Sequence, residues 1–318
     1  MIAVLLWILW SPQIAHAQVA TAQMDPQTTA QSAAAISWRR LTSLSFGYTK
    51  TNGDKKPGLL DQVDYEEKGP HAIGNFHLGH MSFQLNYQSL SQDENFGKFD
   101  TETTNLAILS ALRIGKILAV GADFKKESVG SQEAKVNSWQ NLDDGSFDST
   151  TNKLGGSISY KMGEMFFLGA RLAMVKNEHT KRVDNFWFER DLGISLLTSG
   201  KKGVRLRSEL YWHHSPRMKK KAQGSLWVNH HPETDRYGLL AGISMGSMVI
   251  SALWERQKDS RPTENTYDKS TSLLKVGFSD KIFSKHIIGS FHYSKFKMYD
   301  SYFSKMANIY MLGLTFRK

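Results

Sequence analysis

The chain has 318 residues and a mean hydropathy of −0.40, and after the first ten residues no segment has the density of Leu, Ile, Val and Phe typical of a membrane helix. It has no cysteine, which excludes disulfides and thiolate metal sites. Its formal charge of +10 favours anionic partners. Nucleic acid is not expected among them, because the positive charge is not accompanied by a basic platform with interleaved aromatic residues.

The first 17 residues have the pattern of a secretory signal peptide. An apolar core of about ten residues is followed by a Ser-Pro break and by Ala15-His16-Ala17, whose small residues suit cleavage after Ala17. The core is too short to remain in a bilayer as a spanning helix. We therefore expect an exported protein.

A polar segment follows at 18–37, rich in Gln, Ala, Thr and Ser and without an apolar period. This composition predicts a flexible periplasmic leader. Alternatively, the leader folds back into the next domain as a plug. The predicted organisation is thus a signal peptide at 1–17, a leader at 18–37 and a transmembrane β-barrel at 38–318.

The remainder of the chain repeats an alternating segment of about ten residues, a short turn, a second such segment and a long polar loop. At 81–89, for example, apolar side chains alternate with Ser82, Gln84, Asn86 and Gln88. Because alternate side chains of a strand point to opposite faces, each segment predicts a strand with one apolar and one polar face.

The connections alternate between short and long. Short turns are predicted at Gly79, 114–115, 162–163, 200–203, 246–247 and 281–284. Long polar loops are predicted at 51–71, 90–101, 128–151, 177–185, 214–235, 259–268 and 297–305. Six short and seven long connections give fourteen strands with both termini on the short-turn side. We predict an all-β, closed, antiparallel up-and-down transmembrane β-barrel with short periplasmic turns and long extracellular loops.

Two alternative folds fit less well. A soluble β-sandwich shows the same alternation, but the strict order of short and long connections argues against one. Residues 237–254 carry no charge and are long enough for a membrane helix, yet their apolar residues alternate around Gly246 and favour a hairpin.

Aromatic residues are predicted to form two interfacial girdles on the outward face. The loop-side girdle comprises Tyr48, Tyr87, Trp212, Trp254 and Tyr293. The turn-side girdle comprises Trp38, Tyr160, Phe166, Phe278 and Phe316.

The last predicted strand, at 306–316, places Tyr310, Leu312, Leu314 and Phe316 on one face. It resembles the C-terminal assembly signal of Gram-negative outer-membrane proteins, which implies the barrel-assembly machinery as a partner. The whole chain resembles a porin-like, fourteen-stranded monomeric barrel of the Gram-negative outer membrane. Fatty-acid transporters also have fourteen strands, but the leader here is short and polar beside their larger N-terminal hatch.

Charged residues on the polar face are expected to line the lumen, because a charge on the lipid face costs about 2–4 kcal/mol at the midplane. The predicted lumen and selectivity residues are Arg171, Glu189, Asp191, Arg205, Arg207, Glu209, Arg236, Glu255 and Lys275. The turn near residue 200 is expected to bring Glu189 and Asp191 close to Arg207, Glu209 and Tyr211.

The charged lumen predicts an outer-membrane channel that passes small hydrophilic solutes. Alternatively, the charges pair off and close the lumen, leaving a structural or docking barrel. A transporter of apolar compounds would instead have an apolar pocket in the lumen, with Phe167, Leu240, Leu253 and Ile288 as candidate lining residues.

A His-x-Ser pair, His213 and Ser215, offers a lipid hydrolase as a weaker alternative. No cofactor or metal is predicted, since adjacent histidines at 213–214 and 230–231 would point to opposite faces. A basic run in the neighbouring loop is expected to contact phosphates of lipopolysaccharide. It consists of Arg217, Lys219, Lys220 and Lys221.

Overall fold

A computed structural model describes residues 33–38, 42–57, 63–94, 99–133, 147–163, 165–180, 182–199, 204–216, 218–219, 230–231, 233–245, 248–260, 268–284, 286–299 and 303–317. The signal peptide predicted at 1–17 and residues 18–32 of the predicted leader lie outside these ranges.

Within the described ranges, the chain forms one short 3-10 helix, η1, and sixteen β-strands. Their bounds are η1 Ala33–Trp38, β1 Ser43–Pro57, β2 Val63–Leu78, β3 Met81–Glu94, β4 Phe99–Ile114, β5 Leu118–Glu133, β6 Phe147–Met162, β7 Phe166–His179, β8 Arg182–Ser199, β9 Val204–Ser215, β10 Met218–Lys219, β11 His230–His231, β12 Glu233–Met245, β13 Met248–Ser260, β14 Asp268–Ser284, β15 Ile287–Tyr299 and β16 Phe303–Arg317. No helix in these ranges is long and apolar enough to cross a membrane.

Fourteen of the strands close into one antiparallel barrel, which confirms the predicted fold class and strand number. Strands that follow one another in the wall are paired, and β1 pairs with β16 from Ser43↔Arg317 to Pro57↔Phe303. This closure lets the backbone groups of β1 and β16 hydrogen-bond to each other, as a bilayer requires. The other two strands, β10 and β11, form a small ribbon within the connection from β9 to β12.

The two faces of the wall differ as the alternation predicts. On β3, Met81 and Leu85 are each 46% exposed, whereas Ser82 and Gln84 are 4% and 1% exposed. The same outward exposure of large apolar side chains extends around the barrel. A soluble sandwich would bury this face, so the surface suits the hydrocarbon of a bilayer.

The fourteen barrel strands are longer than the ten residues expected from the sequence, ranging from 12 residues in β9 to 18 in β8. The loops predicted at 51–71 and 128–151 therefore consist partly of strand. Polar residues continue the ladder there because a strand end that projects beyond the bilayer no longer needs an apolar face. The turn predicted at 281–284 is also wrong, since β14 continues to Ser284 through a register shift.

The chain enters the barrel before the first strand begins. In η1, Ala33, Ala34 and Ile36 are 0–3% exposed, and Ala33 and Ile36 pack against Leu109 and Ala111 on the inner face of β4. Ala33, Ala34 and Ile36, which belong to the predicted leader, thus pack inside the lumen. Trp38, predicted for the turn-side girdle, belongs to this helix and not to the wall.

Specific contacts hold η1 against the wall. The backbone N–H of Ala34 donates to Ser157 Oγ on β6 at 2.9 Å. Gly121 on β5 lies directly beneath, and a Cβ at this position would overlap the backbone of Ala33 and Ala34. The absence of a side chain at residue 121 therefore allows the helix to approach the wall closely.

Candidate functional site: the barrel lumen

The centre of the lumen wall carries a buried network of charges that spans β5 to β9. Arg171 donates from Nε and Nη2 to the two carboxylate oxygens of Asp123, at 2.9 and 2.6 Å, and from Nη1 to Asp191 Oδ2 at 2.9 Å. The other oxygen of Asp191 lies 2.6 Å from His213 Nδ1. This arrangement satisfies the guanidinium through charge-assisted bonds on two sides.

A second group of charges lies beside the first. Lys153 Nζ donates to both oxygens of Glu189 at 2.9 and 3.0 Å, and Trp187 Nε1 donates to the same carboxylate at 3.3 Å. Because Glu189 faces Lys153 on one side and the indole on the other, its charge is compensated within the wall.

The network continues toward β13. Tyr211 donates its hydroxyl proton to Glu255, and Arg236 Nε lies 3.6 Å from the same carboxylate. Arg236 also donates to Gln257 Oε1 at 2.9 Å. On β8, Ser195 donates to Glu209 Oε2 at 3.2 Å. Glu255 and Glu209 therefore each have a hydrogen-bond donor on another strand.

The opposite wall, formed by β1 to β3 with β15 and β16, has few charges, and we term it the neutral wall. Its charged inward residues, among those whose side chains are described, are Glu67 and Lys305, near the loop-side end, where Lys305 Nζ lies 4.3 Å from the centre of the Tyr65 ring. The other inward side chains of this wall are mainly hydroxyls and amides that bond to one another. The pairs include Ser45 with Thr315 at 2.9 Å, Asn75 with Ser43 at 3.0 Å and Gln84 with Asn86 at 3.0 Å. The lumen thus has a side with many charges and a side with few.

Apolar side chains also face the interior. Tyr211, Leu240 and Leu253 form a buried cluster in which the two leucines are 3% and 2% exposed. Ile288 is 1% exposed on β15. Three of the four residues named as apolar lining candidates are therefore buried inward, while Phe167 is only partly buried near a turn.

The inward polar side chains are nearly inaccessible to solvent. Seven of the predicted selectivity residues are between 3% and 6% exposed: Arg171, Glu189, Asp191, Glu209, Arg236, Glu255 and Lys275. On the neutral wall, Gln84, His292 and Ser294 are each 1% exposed. A wide aqueous pore would wet such groups, so the lumen in this state is tightly filled at the described residues.

The other predicted site residues are placed less completely. Arg205 and Arg207 lie on β9, and their side chains are outside the described part of the chain. The register contradicts the expected neighbours of Arg207: it stands opposite Leu197, whereas Asp191 stands opposite His213. Arg207 therefore pairs with a residue that is closer to the turn than Asp191 is, and the sequence did not indicate this register.

The loop cations are mostly outside the described residues. Arg217, Lys220 and Lys221 lie outside the described ranges, and only the backbone of Lys219 is described, in the ribbon. Their predicted contact with lipid phosphates stays a prediction.

Sequence reasoning missed Lys153 as the partner of Glu189. Its position two residues before Gly155 on an alternating segment placed it on the inner face, but the expected loop at 128–151 hid how far β6 extends. His213 was considered for catalysis and not for pairing with Asp191.

The His-x-Ser pair faces the lumen. His213 and Ser215 are 5% and 1% exposed, and His213 Nδ1 is engaged by Asp191. A lipid-cleaving site would need to open toward the bilayer, so this placement does not favour the hydrolase alternative.

No protein-family model matches this sequence, and no curated protein matches it. Several solved structures share the architecture. The monoaromatic hydrocarbon channel CymD has a TM-score of 0.61 at 12% identity, over 93% of this chain and 92% of that one. The toluene transporter TbuX of Ralstonia pickettii has a TM-score of 0.61 at 11% identity, over 96% and 94% of the two chains.

A FadL homologue of Pseudomonas aeruginosa gives a TM-score of 0.59 at 10% identity, over 91% of this chain and 93% of that one. The fold is that of an outer-membrane β-barrel. At these identities the likeness concerns the fold, and the residues of the lumen have to be interpreted on their own.

Proposed function

We propose that this chain is an outer-membrane channel for small uncharged molecules, closed at rest by η1 and by the mutual pairing of its lumen charges. The observation that carries the proposal is the near-complete burial of the inward polar side chains, exemplified by Gln84 at 1% and Arg171 at 4% exposure. A permanently open hydrophilic pore would keep such groups in contact with water.

The pairing of the charges supports an uncharged cargo. Arg171 is paired with Asp123 and Asp191, and Glu189 with Lys153. Compensated pairs produce a weaker field along the lumen than the unpaired charges of an ion-selective filter. The neutral wall and the Tyr211–Leu240–Leu253 cluster offer surface to a molecule without charge.

The descriptions of similar solved structures support an uncharged cargo. CymD is described as a monoaromatic hydrocarbon channel and TbuX as a toluene transporter. Neutral monoaromatic compounds are therefore the class of molecule to test first.

Uptake by bacterial cells with an intact outer membrane tests the proposal. Cells carrying the protein should take up a labelled neutral monoaromatic compound faster than cells without it, and Leu240→Gln should reduce the gain. Leu239→Gln is the matched control, because the adjacent side chain points outward and is 42% exposed. Equal uptake with and without the protein would overturn the proposal.

The hydrophilic channel remains a second candidate, motivated by the amides and hydroxyls of the neutral wall. The same cells, given a labelled small sugar, separate the two. Faster sugar uptake without a gain for the aromatic compound would favour the hydrophilic channel, and no gain for either would favour a structural barrel.

Location and assembly belong to the same proposal. The exposed apolar belt and the closure by β16 support insertion into the bacterial outer membrane through the barrel-assembly machinery. Lipopolysaccharide would then surround the loop side of the barrel.

A further inference from the structure

The outward face of the β9–β12 pair carries a cluster of potential metal ligands at its loop-side end. His214 and Asp235 are directly opposite each other in the ladder, and Glu233 precedes Asp235 by two residues on the same face. One ligand atom from each of the three residues lies within 4.8 Å of the other two. From this geometry we infer a binding site for a divalent transition-metal ion, with zinc as the reference ion.

The distances fit joint coordination by two strands. His214 Nδ1 lies 3.0 Å from Asp235 Oδ1. Two ligands each about 2.1 Å from one ion are about 3.0–3.4 Å apart for right-angled to tetrahedral geometry. An ion could therefore replace the proton that now joins the imidazole and the carboxylate.

The surroundings orient these groups. Trp212 Nε1 donates to Asp235 Oδ1 at 3.0 Å, and the rings of Trp212 and His214 lie 5.6 Å apart. The side chains of His214 and Asp235 are 12% and 35% exposed, so an ion would be partly shielded and yet reachable. A hydrogen bond from a neighbouring side chain, such as that from Trp212 to Asp235, is typical of residues that bind a metal.

Two cations flank the cluster in the ladder. Arg190 stands opposite His214 on β8, and Lys258 stands opposite Asp235 on β13, and both side chains are exposed. They balance the two carboxylates in the ion-free protein.

The donor set selects the kind of ion. One imidazole nitrogen and two carboxylate oxygens suit zinc, nickel or copper, whereas magnesium prefers oxygen alone and retains its water. The site also links β9 at His214 to β12 at Glu233, next to the two ends of the connection that carries β10 and β11. Bound metal would thus fasten the base of this extracellular loop.

Titration of purified, chelator-treated protein with Zn²⁺ tests the inference. We expect one ion per chain by calorimetry and a higher melting temperature with Zn²⁺ than with Mg²⁺. His214→Ala and Glu233→Gln should each weaken binding by about tenfold or more. His80→Ala is the matched control, since that exposed histidine lies at a turn on the opposite end and should leave the affinity unchanged.

Folding of each variant is checked by its heat-dependent migration in a gel. Folded His214→Ala protein that binds Zn²⁺ as tightly as the parent would overturn the inference, as would a parent that binds none. Neither result depends on what passes through the lumen.

Discussion

Arg171 and Asp123 form a two-point ion pair inside the barrel, with both side chains 1% exposed. The pair joins β7 to β5 across the intervening β6, so it links strands that share no ladder. Because Asp191 binds the same guanidinium from β8, the inner wall is tied together over four consecutive strands.

Asp123→Asn should destabilise the barrel by about 3 kcal/mol, because it leaves a buried guanidinium with one carboxylate instead of two. Urea unfolding in lipid, followed by tryptophan fluorescence, measures the loss. Lys126→Ala on the same strand is the control: its exposed outward side chain should change the free energy of unfolding by less than about 0.5 kcal/mol. Equal effects of the two substitutions would refute a structural role for the pair.

The outward face gives a prediction about membrane depth. Leu172, 58% exposed in the middle of β7, should cost about 2–4 kcal/mol when changed to Arg, because the charge would enter hydrocarbon. Leu78, 70% exposed beside a turn, should cost about 0–1 kcal/mol for the same change. Refolding equilibria in lipid vesicles compare the two, and a larger cost at Leu78 would contradict the assigned membrane belt.

The sequence predicted the fold and the inward position of most site residues because a strand has a local period of two. The alternation of apolar and polar residues around Arg171 and Asp191 can be seen in the sequence without knowing which strands lie beside them. The partners of these residues depend on the register between neighbouring strands. That register depends on where each strand begins and ends, which the sequence did not indicate. Hence Asp191 meets His213, and Arg207 stands opposite Leu197.

The position of η1 was even less predictable. Its residues, Ala33 to Trp38, have no apolar period, and the helix is held by Ser157, which is 123 residues from Ala34 in the chain. Such a contact depends on the gap left by Gly121 on the wall, which only the folded barrel reveals.

Gly121→Val should displace η1, because the added side chain would occupy the space of the helix backbone. We expect more frequent conductance steps in planar bilayers than for the parent protein. Gly156→Val is the control on neighbouring β6, where a Cβ meets nothing within 4 Å. Conductance of Gly121→Val indistinguishable from that of the control would show that η1 does not restrict the lumen.

The most direct test of the account locks η1 in place. The chain has no cysteine, and Ala34 N lies 2.9 Å from Ser157 Oγ, so a single engineered disulfide between Ala34→Cys and Ser157→Cys is free of competing thiols. The measurement is uptake of a neutral monoaromatic compound by cells carrying this variant, before and after reduction. We expect little uptake when the disulfide is formed and recovery to the parent rate when it is reduced. Rapid uptake at the same rate in both states would contradict it.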